Sequence, residues 1–236
     1  MTQADLLLYT ANTANGWKPL IFLHEAEIAY DLVAIDFSRK EQKAPDYLAL
    51  NPNGRIPTLV DRANDGFTVF ESGAIMWYLA EKYGRFLSPD PKERSETLQW
   101  LMFQMGGVGP MMGQAMFFQR IAQPAGDDVP YAIERYVNES RRLLEVLNAR
   151  LEGRQWLVGD AMSIADMAMY PWARAYPWAR VSIEGLEHLS AWFARLDARP
   201  KTQAALQIPT PFPEVFGKGD MESATAANAA KYTDRS

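Results

Sequence analysis

Apolar positions along this chain repeat with two different periods, and the change falls near residue 90. Upstream, Leu6 to Thr10 reads as a short strand and Pro19 to Ala29 as a helix, with apolar residues at Leu20, Leu23 and Ala26. Leu32 to Asp36 predicts a second strand, and Arg39 to Leu50 a polar, helix-like connection. Thr58 to Asp61 and Thr68 to Phe70 flank Asn64-Asp65-Gly66, a strong hairpin turn. Ser72 to Tyr83 has helical spacing and stops at Gly84, the residue that most readily takes a left-handed cap. The predicted order is βαβαββα. Beyond Pro89-Asp90-Pro91, four segments carry apolar residues three and four apart: Lys92 to Gly106, Ala132 to Leu151, Ser163 to Trp178 and Leu186 to Asp197. No strand pattern lies between them, so an all-α second domain is expected. The expected division is residues 1–87, residues 92–216, and a small polar tail, 217–236, with too few large apolar groups to hold it in place.

Two segments of the second half carry local signals. Gly106-Gly107-Val108-Gly109-Pro110-Met111-Met112-Gly113 should bend or break a helix, because glycine and proline are the poorest helix formers. It is not a phosphate loop: no strand precedes it, and Pro110 removes one of the amides such a loop needs. A close helix crossing, beside a ligand or at a subunit interface, fits it better. Ser163-Ile164-Ala165-Asp166 is a capping box, with Ser163 and Asp166 each satisfying the other's amide, and Pro171 should kink the helix that follows.

Composition narrows the chemistry. With 236 residues, 48% of them apolar, the chain can build a substantial core. A net charge of −5 argues against a nucleic-acid surface, which needs a basic stripe. No apolar run approaches the roughly 20 residues that span a bilayer, and the first residues lack a signal pattern, so a cytoplasmic protein is expected. There is no cysteine, which excludes a protein disulfide, a thiolate metal site and a cysteine nucleophile; any thiol chemistry must use sulfur carried in by a ligand. His24 and His188 have no ligand-like spacing, so no metal is expected, and His24 reads as part of a solvated helix face. Trp100, Phe103, Met111, Met112, Phe117 and Phe118, with Trp172, Tyr176 and Trp178 later, are mostly core, with a subset available to line an apolar pocket.

The segment from Asn51 to Ala80 carries the clearest functional signal. Pro57 must begin an edge strand or a turn, since it has no N–H to give a sheet, and a cis bond there would turn the backbone of Ile56 outward toward an extended ligand. Glu71-Ser72 opens a helix whose free N–H groups and positive dipole suit a carboxylate, with the Glu71 side chain for an ammonium. Together they form a cradle for a small zwitterionic peptide; alone, Ser72 is an N-cap and Pro57 a strand starter.

Asn51-Pro52-Asn53-Gly54-Arg55-Ile56-Pro57 followed by Glu71-Ser72 resembles the glutathione transferase superfamily, over about Leu6 to Pro200. The resemblance implies an α+β fold, a thioredoxin-like βαβαββα domain followed by an all-α bundle, and the serine-acid box at Ser163 and Asp166 matches the same superfamily. Thr13-Ala14-Asn15-Gly16-Trp17-Lys18 is similar to the T-x-N-G-x-K pattern of nu-class, disulfide-reductase-type members, to which a fungal nitrogen-regulatory domain is related. Carried over residue by residue, Thr13 and Asn15 take the sulfur side and Gln42 the glycine carboxylate of glutathione. Ile56 anchors its backbone, with Arg55 and Pro57 beside it, and Glu71 and Ser72 hold the γ-glutamyl end. Arg142 best fits the arginine lent to the other subunit's glutathione, with Arg135 close in pattern.

The same pattern implies a homodimer, glutathione as co-substrate, and a small disulfide or electrophile as its partner. The expected activity is glutathione-dependent disulfide reduction, with weak transferase or peroxidase activity. Ordinary conjugation of electrophiles and a non-catalytic binding module remain as alternatives. Thr13 and Asn15 also have a physical case of their own. A free thiol with a pKa of about 8.5 is only a few per cent ionised near neutrality, and neutral donors at a helix start can favour its anion. Asn15 can equally serve as the helix cap, and Tyr9 is less well placed because it lies inside the first strand.

Overall fold

Leu6, Leu8 and Thr10 are buried while Leu7 and Tyr9 are not, so strand β1 (Leu6–Thr10) commits one face to the core. In the computed structural model, which describes residues 3–210, β1 is the second strand of a four-stranded sheet ordered β2-β1-β3-β4. Strand β2 (Asp31–Ala34) runs parallel to β1, which requires a crossover, and helix α1 (Ala14–Ala26) supplies it. Strands β3 (Thr58–Asp61) and β4 (Phe67–Phe70) complete the sheet in antiparallel sense. Tyr9 pairs with Thr58 and Thr58 with Phe70. This register gathers the exit of β1, the entry of β3 and the exit of β4 at one end of the sheet, and the candidate residues of the first domain lie on loops and helix starts leaving that end.

Helix α1 begins at Ala14 rather than Pro19 and ends at Ala26 rather than Ala29. Thr13 caps it, its Oγ1 accepting from the Gly16 N–H at 3.0 Å, and Glu27 closes it in the left-handed region at φ 58. Every residue from Gly16 to Leu23 is buried, because the helix Ser72–Tyr83 of the same domain and the helices Ile164–Arg174 and Pro200–Ala205 of the second domain pack against it. A helix buried all round has no amphipathic period to mark its start. His24, expected in solvent, is half-buried with its Nε2 3.0 Å from the Tyr30 hydroxyl, and burial lowers its pKa. Strand β2 stops before Asp36 because that carboxylate turns the chain, accepting from the Ser38 N–H at 2.8 Å. The polar connection after it forms a 3₁₀ turn, Glu41–Lys43, and helix α2 (Pro45–Leu50). Asp65 and Gly66, both at positive φ, make the hairpin turn. Helix α3 (Ser72–Tyr83) ends at left-handed Gly84, as its sequence predicts.

The second domain opens with α4 (Pro91–Phe103), capped by Asp90, which accepts from the Lys92 and Glu93 amides. The glycine-rich run does not break the chain's helical course. A π turn, Gln104–Val108, leads directly into α5 (Gly109–Phe117), and Pro110 is the second residue of α5. A second π turn, Phe118–Ala122, follows. Then come α6 (Pro130–Leu151), α7 (Ile164–Arg174), α8 (Glu187–Asp197) and α9 (Pro200–Ala205). Helix α7 contains Pro171 and stops at Arg174, short of Trp178. The close crossing expected of the glycines is present: a Cβ on Gly107 would meet Leu143 at 3.6 Å, and one on Gly113 would meet Trp172 at 3.4 Å.

Side chains join the two domains. Arg199 forks onto Glu25 (2.9 and 2.6 Å) and Thr202 donates to it at 2.7 Å. Burial works against the Glu25 charge, but these donors outweigh it and hold its carboxyl below the ordinary range. Among the described residues, no helix is long and apolar enough to cross a membrane. The tail 217–236 lies outside the described residues.

Candidate functional site

The start of α1 is shaped by Gly16. A Cβ there would lie 2.2 Å from the Ala11 carbonyl, so only glycine lets the exit of β1 press against the helix. Thr13 is therefore the cap and Asn15 sits inside the first turn, which corrects the alternative in which Asn15 caps the helix. Because Thr13 Oγ1 accepts from Gly16, its hydroxyl proton is left to donate. Asn15 is oriented from the other domain: the Trp172 indole N–H donates to Asn15 Oδ1 at 2.8 Å. An indole can only donate, so the amide oxygen of Asn15 is turned to α7 and its NH₂ is left as a donor for a ligand. Trp172 was legible in the sequence only as one of several aromatic residues.

One turn along α1, Lys18 reaches α3. It is fully buried; its Nζ lies 3.2 Å from Ser72 Oγ and 3.4 Å from Met105 Sδ, and it also donates to Gln104 Oε1. Burial lowers its pKa to about 7, with Glu71 opposing the shift. In the sequence Lys18 appeared only as the last letter of a motif. Three residues of helix rise about 4.5 Å, so the Asn15 and Ser72 ends of the site are within a short peptide's reach. Ser72 is buried at the start of α3, and Glu71 before it is exposed at φ 71, a backbone region that costs a non-glycine residue about 1–3 kcal/mol and clusters at ligand sites.

The third side is the loop before β3. Asn51, 2% exposed, donates to the Arg55 carbonyl (2.7 Å) and to Thr58 Oγ1 (3.0 Å), and its Oδ1 accepts from the Asn53 N–H at 3.0 Å. Tyr47 adds a second donor to the Arg55 carbonyl at 2.7 Å. These bonds hold the loop up to the Ile56-Pro57 peptide, which is cis, as its sequence context suggested. Among the described residues the backbone of Ile56 has no hydrogen-bond partner, whereas Pro57 is buried and the Arg55 side chain is exposed. Asn53 Nδ2 lies 3.4 Å from Glu71 Oε1, which joins this loop to the α3 end. Gln42 adjoins the loop through Gly54, whose Cβ would lie 2.9 Å from the Gln42 carbonyl, and Gln42 Oε1 is buried without a partner among the described residues. Lys43, absent from the sequence-based set, donates to the Asn53 carbonyl at 3.2 Å.

The structure thus brings together Thr13, Asn15, Gln42, Arg55, Ile56, Pro57, Glu71 and Ser72. It does not bring Arg142 to them within one chain: on α6 that side chain forks onto Glu139 (2.8 and 2.7 Å), and Arg135 on the same helix is exposed. Among the described residues no three His, Cys, Asp or Glu side chains are grouped to hold a metal. Chemically, these residues offer two helix starts for anions, a carboxylate for an ammonium, and a backbone step unpaired among the described residues for an extended peptide.

Family models for the glutathione S-transferase N-terminal domain and C-terminal domain match residues 4–81 and 128–200. The disulfide-bond oxidoreductase YfcG of Escherichia coli K12 is 45% identical over 203 residues, covering 84% of this chain and 93% of that protein. A glutathione transferase from Pseudomonas putida, solved with one glutathione disulfide bound per subunit, superposes with a TM-score of 0.83 at 42% identity, covering 87% of this chain and 92% of that one. Another, from Burkholderia graminis with two glutathione molecules per subunit, has a TM-score of 0.82 at 41% identity, covering 87% and 89%.

Proposed function

Since the chain belongs to the glutathione S-transferase family, we propose that it is a glutathione-dependent disulfide-bond reductase of the nu-class type. One observation carries this reading: in a chain with no cysteine, the Thr13 hydroxyl and the Asn15 amide at the start of α1 are bonded through their oxygens, which leaves two neutral donors for a ligand's sulfur. Glutathione lies with its γ-glutamyl end on Glu71 and Ser72, its backbone on Ile56 beside Arg55 and Pro57, and its glycine carboxylate at Gln42. Its thiolate faces Thr13 and Asn15. The thiolate attacks one sulfur of a small disulfide; the new S–S bond joins glutathione to that sulfur, and the other sulfur leaves as a thiolate that takes a proton from solvent. A second glutathione thiolate then attacks the mixed disulfide, releasing oxidised glutathione and the second thiol. Two electrons and two protons pass from two glutathione molecules to the substrate.

The working unit in this reading is a cytoplasmic homodimer in which Arg142, or Arg135 from the same helix, reaches the partner's glutathione. The domain limits are residues 1–87 and 92–216, with 217–236 as the tail.

Turnover of 2-hydroxyethyl disulfide measured beside that of chlorodinitrobenzene tests the activity. The expected result is clear turnover of the disulfide with little of the aromatic electrophile; turnover of chlorodinitrobenzene alone would establish conjugation instead. Failure to bind either reduced or oxidised glutathione in a calorimeter would leave only a binding scaffold. Trp172→Phe keeps a ring against Gly113 and removes the N–H that orients Asn15. It is expected to lower kcat/KM for the disulfide about tenfold and to move the acid limb of the pH profile upward, because a freely rotating amide favours the thiolate less. An unmoved limb would show that Trp172 only packs.

A further inference from the structure

Lys18 is a fully buried cation-forming side chain that pairs with no carboxylate among the described residues, and the thiol chemistry above gives it no role. Its surroundings are shaped to hold it. Three acceptors meet Nζ: Ser72 Oγ from α3, and Gln104 Oε1 and Met105 Sδ from the π turn of the second domain. An ammonium gives one N–H to each of the three; a neutral amine gives two and accepts the Ser72 hydroxyl on its lone pair, and Ser72 Oγ also lies 3.7 Å from Met105 Sδ, so without ligand the arrangement fits either form. Two glycines make the room. A Cβ on Gly109 would lie 2.7 Å from Gln104 Nε2, and a Cβ on Gly73 would lie 3.0 Å from Met105 Cγ.

We infer that Lys18 is the positioning residue for the γ-glutamyl end of the glutathione site: it fixes the Ser72 hydroxyl toward the ligand's carboxylate and takes up a proton from solvent when that carboxylate arrives. This rests on the glutathione reading above and extends it. When Ser72 donates its hydroxyl proton to a carboxylate, Ser72 Oγ must accept from Lys18, so Ser72, Gln104 and Met105 together call for three N–H donors, which only the ammonium has. A carboxylate one side chain away also offsets the burial that disfavours the ammonium. Without ligand the balance runs the other way, and burial holds the Lys18 pKa near 7.

The other elements packed on α1 do not disturb this balance. Helix α3 brings Glu71, the one charge that raises the Lys18 pKa. The π turn brings neutral Gln104 and Met105. The Asp166 carboxylate of α7 is bound by Leu157, Ser163 and Trp192, and α9 with Arg199 is engaged with Glu25. Lys18 does not touch the sulfur end; it acts through Ser72.

Calorimetry with S-methylglutathione, which has no ionisable thiol, tests the inference in buffers of different ionisation enthalpy. At pH 8 a group with a pKa near 7 is about one-tenth protonated, so the wild-type protein is expected to take up about 0.9 proton per ligand, and close to none at pH 6. Lys18→Met is expected to bind about tenfold more weakly at pH 6 with no proton uptake at either pH. Gln104→Leu, which removes one acceptor from the ammonium, is expected to move the onset of uptake to lower pH. Wild-type binding enthalpies at pH 8 that do not depend on the buffer would overturn the inference without any variant. Undiminished uptake in Lys18→Met, or an unshifted onset in Gln104→Leu, would do the same. Absence of binding to both S-methylglutathione and oxidised glutathione would overturn the glutathione reading as well, whereas binding without proton uptake overturns this inference alone.

Discussion

Asn15→Ala combined with Thr13→Val is expected to lower kcat/KM for a small disulfide by about 100-fold at pH 7 while leaving the fold intact. A thiol held about two units below 8.5 is roughly three-quarters ionised at pH 7; at 8.5 it is about 3% ionised. The more basic thiolate is also the better nucleophile, which recovers a little under tenfold, so ionisation accounts for only a few-fold of the loss. The remainder comes from losing the donors that hold the sulfur in line with the disulfide. The acid limb of the kcat/KM profile should therefore rise toward 8.5, and binding of S-methylglutathione should weaken only slightly, because Glu71, Ser72 and Ile56 are untouched. Thr13→Val also removes the cap bond to Gly16, worth about 1 kcal/mol, so unfolding must be measured alongside. A double variant with unchanged rate and unchanged pH profile would defeat the mechanism.

The second large effect is on stability. Asp166 is completely buried and accepts from the Leu157 N–H (3.0 Å), the Ser163 N–H (3.0 Å), Ser163 Oγ (3.1 Å) and the Trp192 indole (2.9 Å). Burial pushes its carboxyl upward, and these donors oppose that push. Asp166→Ala would leave several buried N–H groups without partners, each costing about 1–3 kcal/mol. A loss of about 4 kcal/mol is expected, a large part of the 5–15 kcal/mol that holds a typical domain together. Urea denaturation reads this directly; a loss below about 1 kcal/mol would show that water replaces the carboxylate. Whatever fraction remains folded should bind oxidised glutathione normally, because Asp166 touches no residue of the cleft.

The two variants also mark where sequence and structure divide. The Ser163/Asp166 box was legible because both partners lie within one turn of helix, and the structure adds what no spacing could show: Asp166 also gathers donors from Leu157 and from Trp192 on α8. The strands Leu6–Thr10 and Thr58–Asp61 and the helix Ser72–Tyr83 were read to the residue because each has one buried face or a clear stop. Helix α1 was not, since burial on all sides erased its period and Pro19 looked like a beginning. The glycine-rich run is legible as a close crossing and as an interruption of the α-helix, whereas the form of the interruption, a π turn that keeps the chain helical, is not.

The cleft divides in the same way. Asn51 to Pro57 and Glu71-Ser72 announce themselves as local motifs, since a turn, a cap and a helix start are built from neighbours in sequence. Lys18 and Trp172 carry no such mark. One lies in an apolar helix and the other in an aromatic cluster, and their bonds reach residues far off in sequence: Lys18 to Ser72 at 3.2 Å and, across the domain boundary, to Gln104 and Met105, and Trp172 across the same boundary to Asn15 at 2.8 Å. Local order, composition and the absence of cysteine could be read residue by residue because short-range sterics and hydrogen bonding govern them. Which end of the Asn15 amide is tied down, and which buried amine stands behind Ser72, depended on packing between residues up to 157 positions apart, which no local pattern encodes.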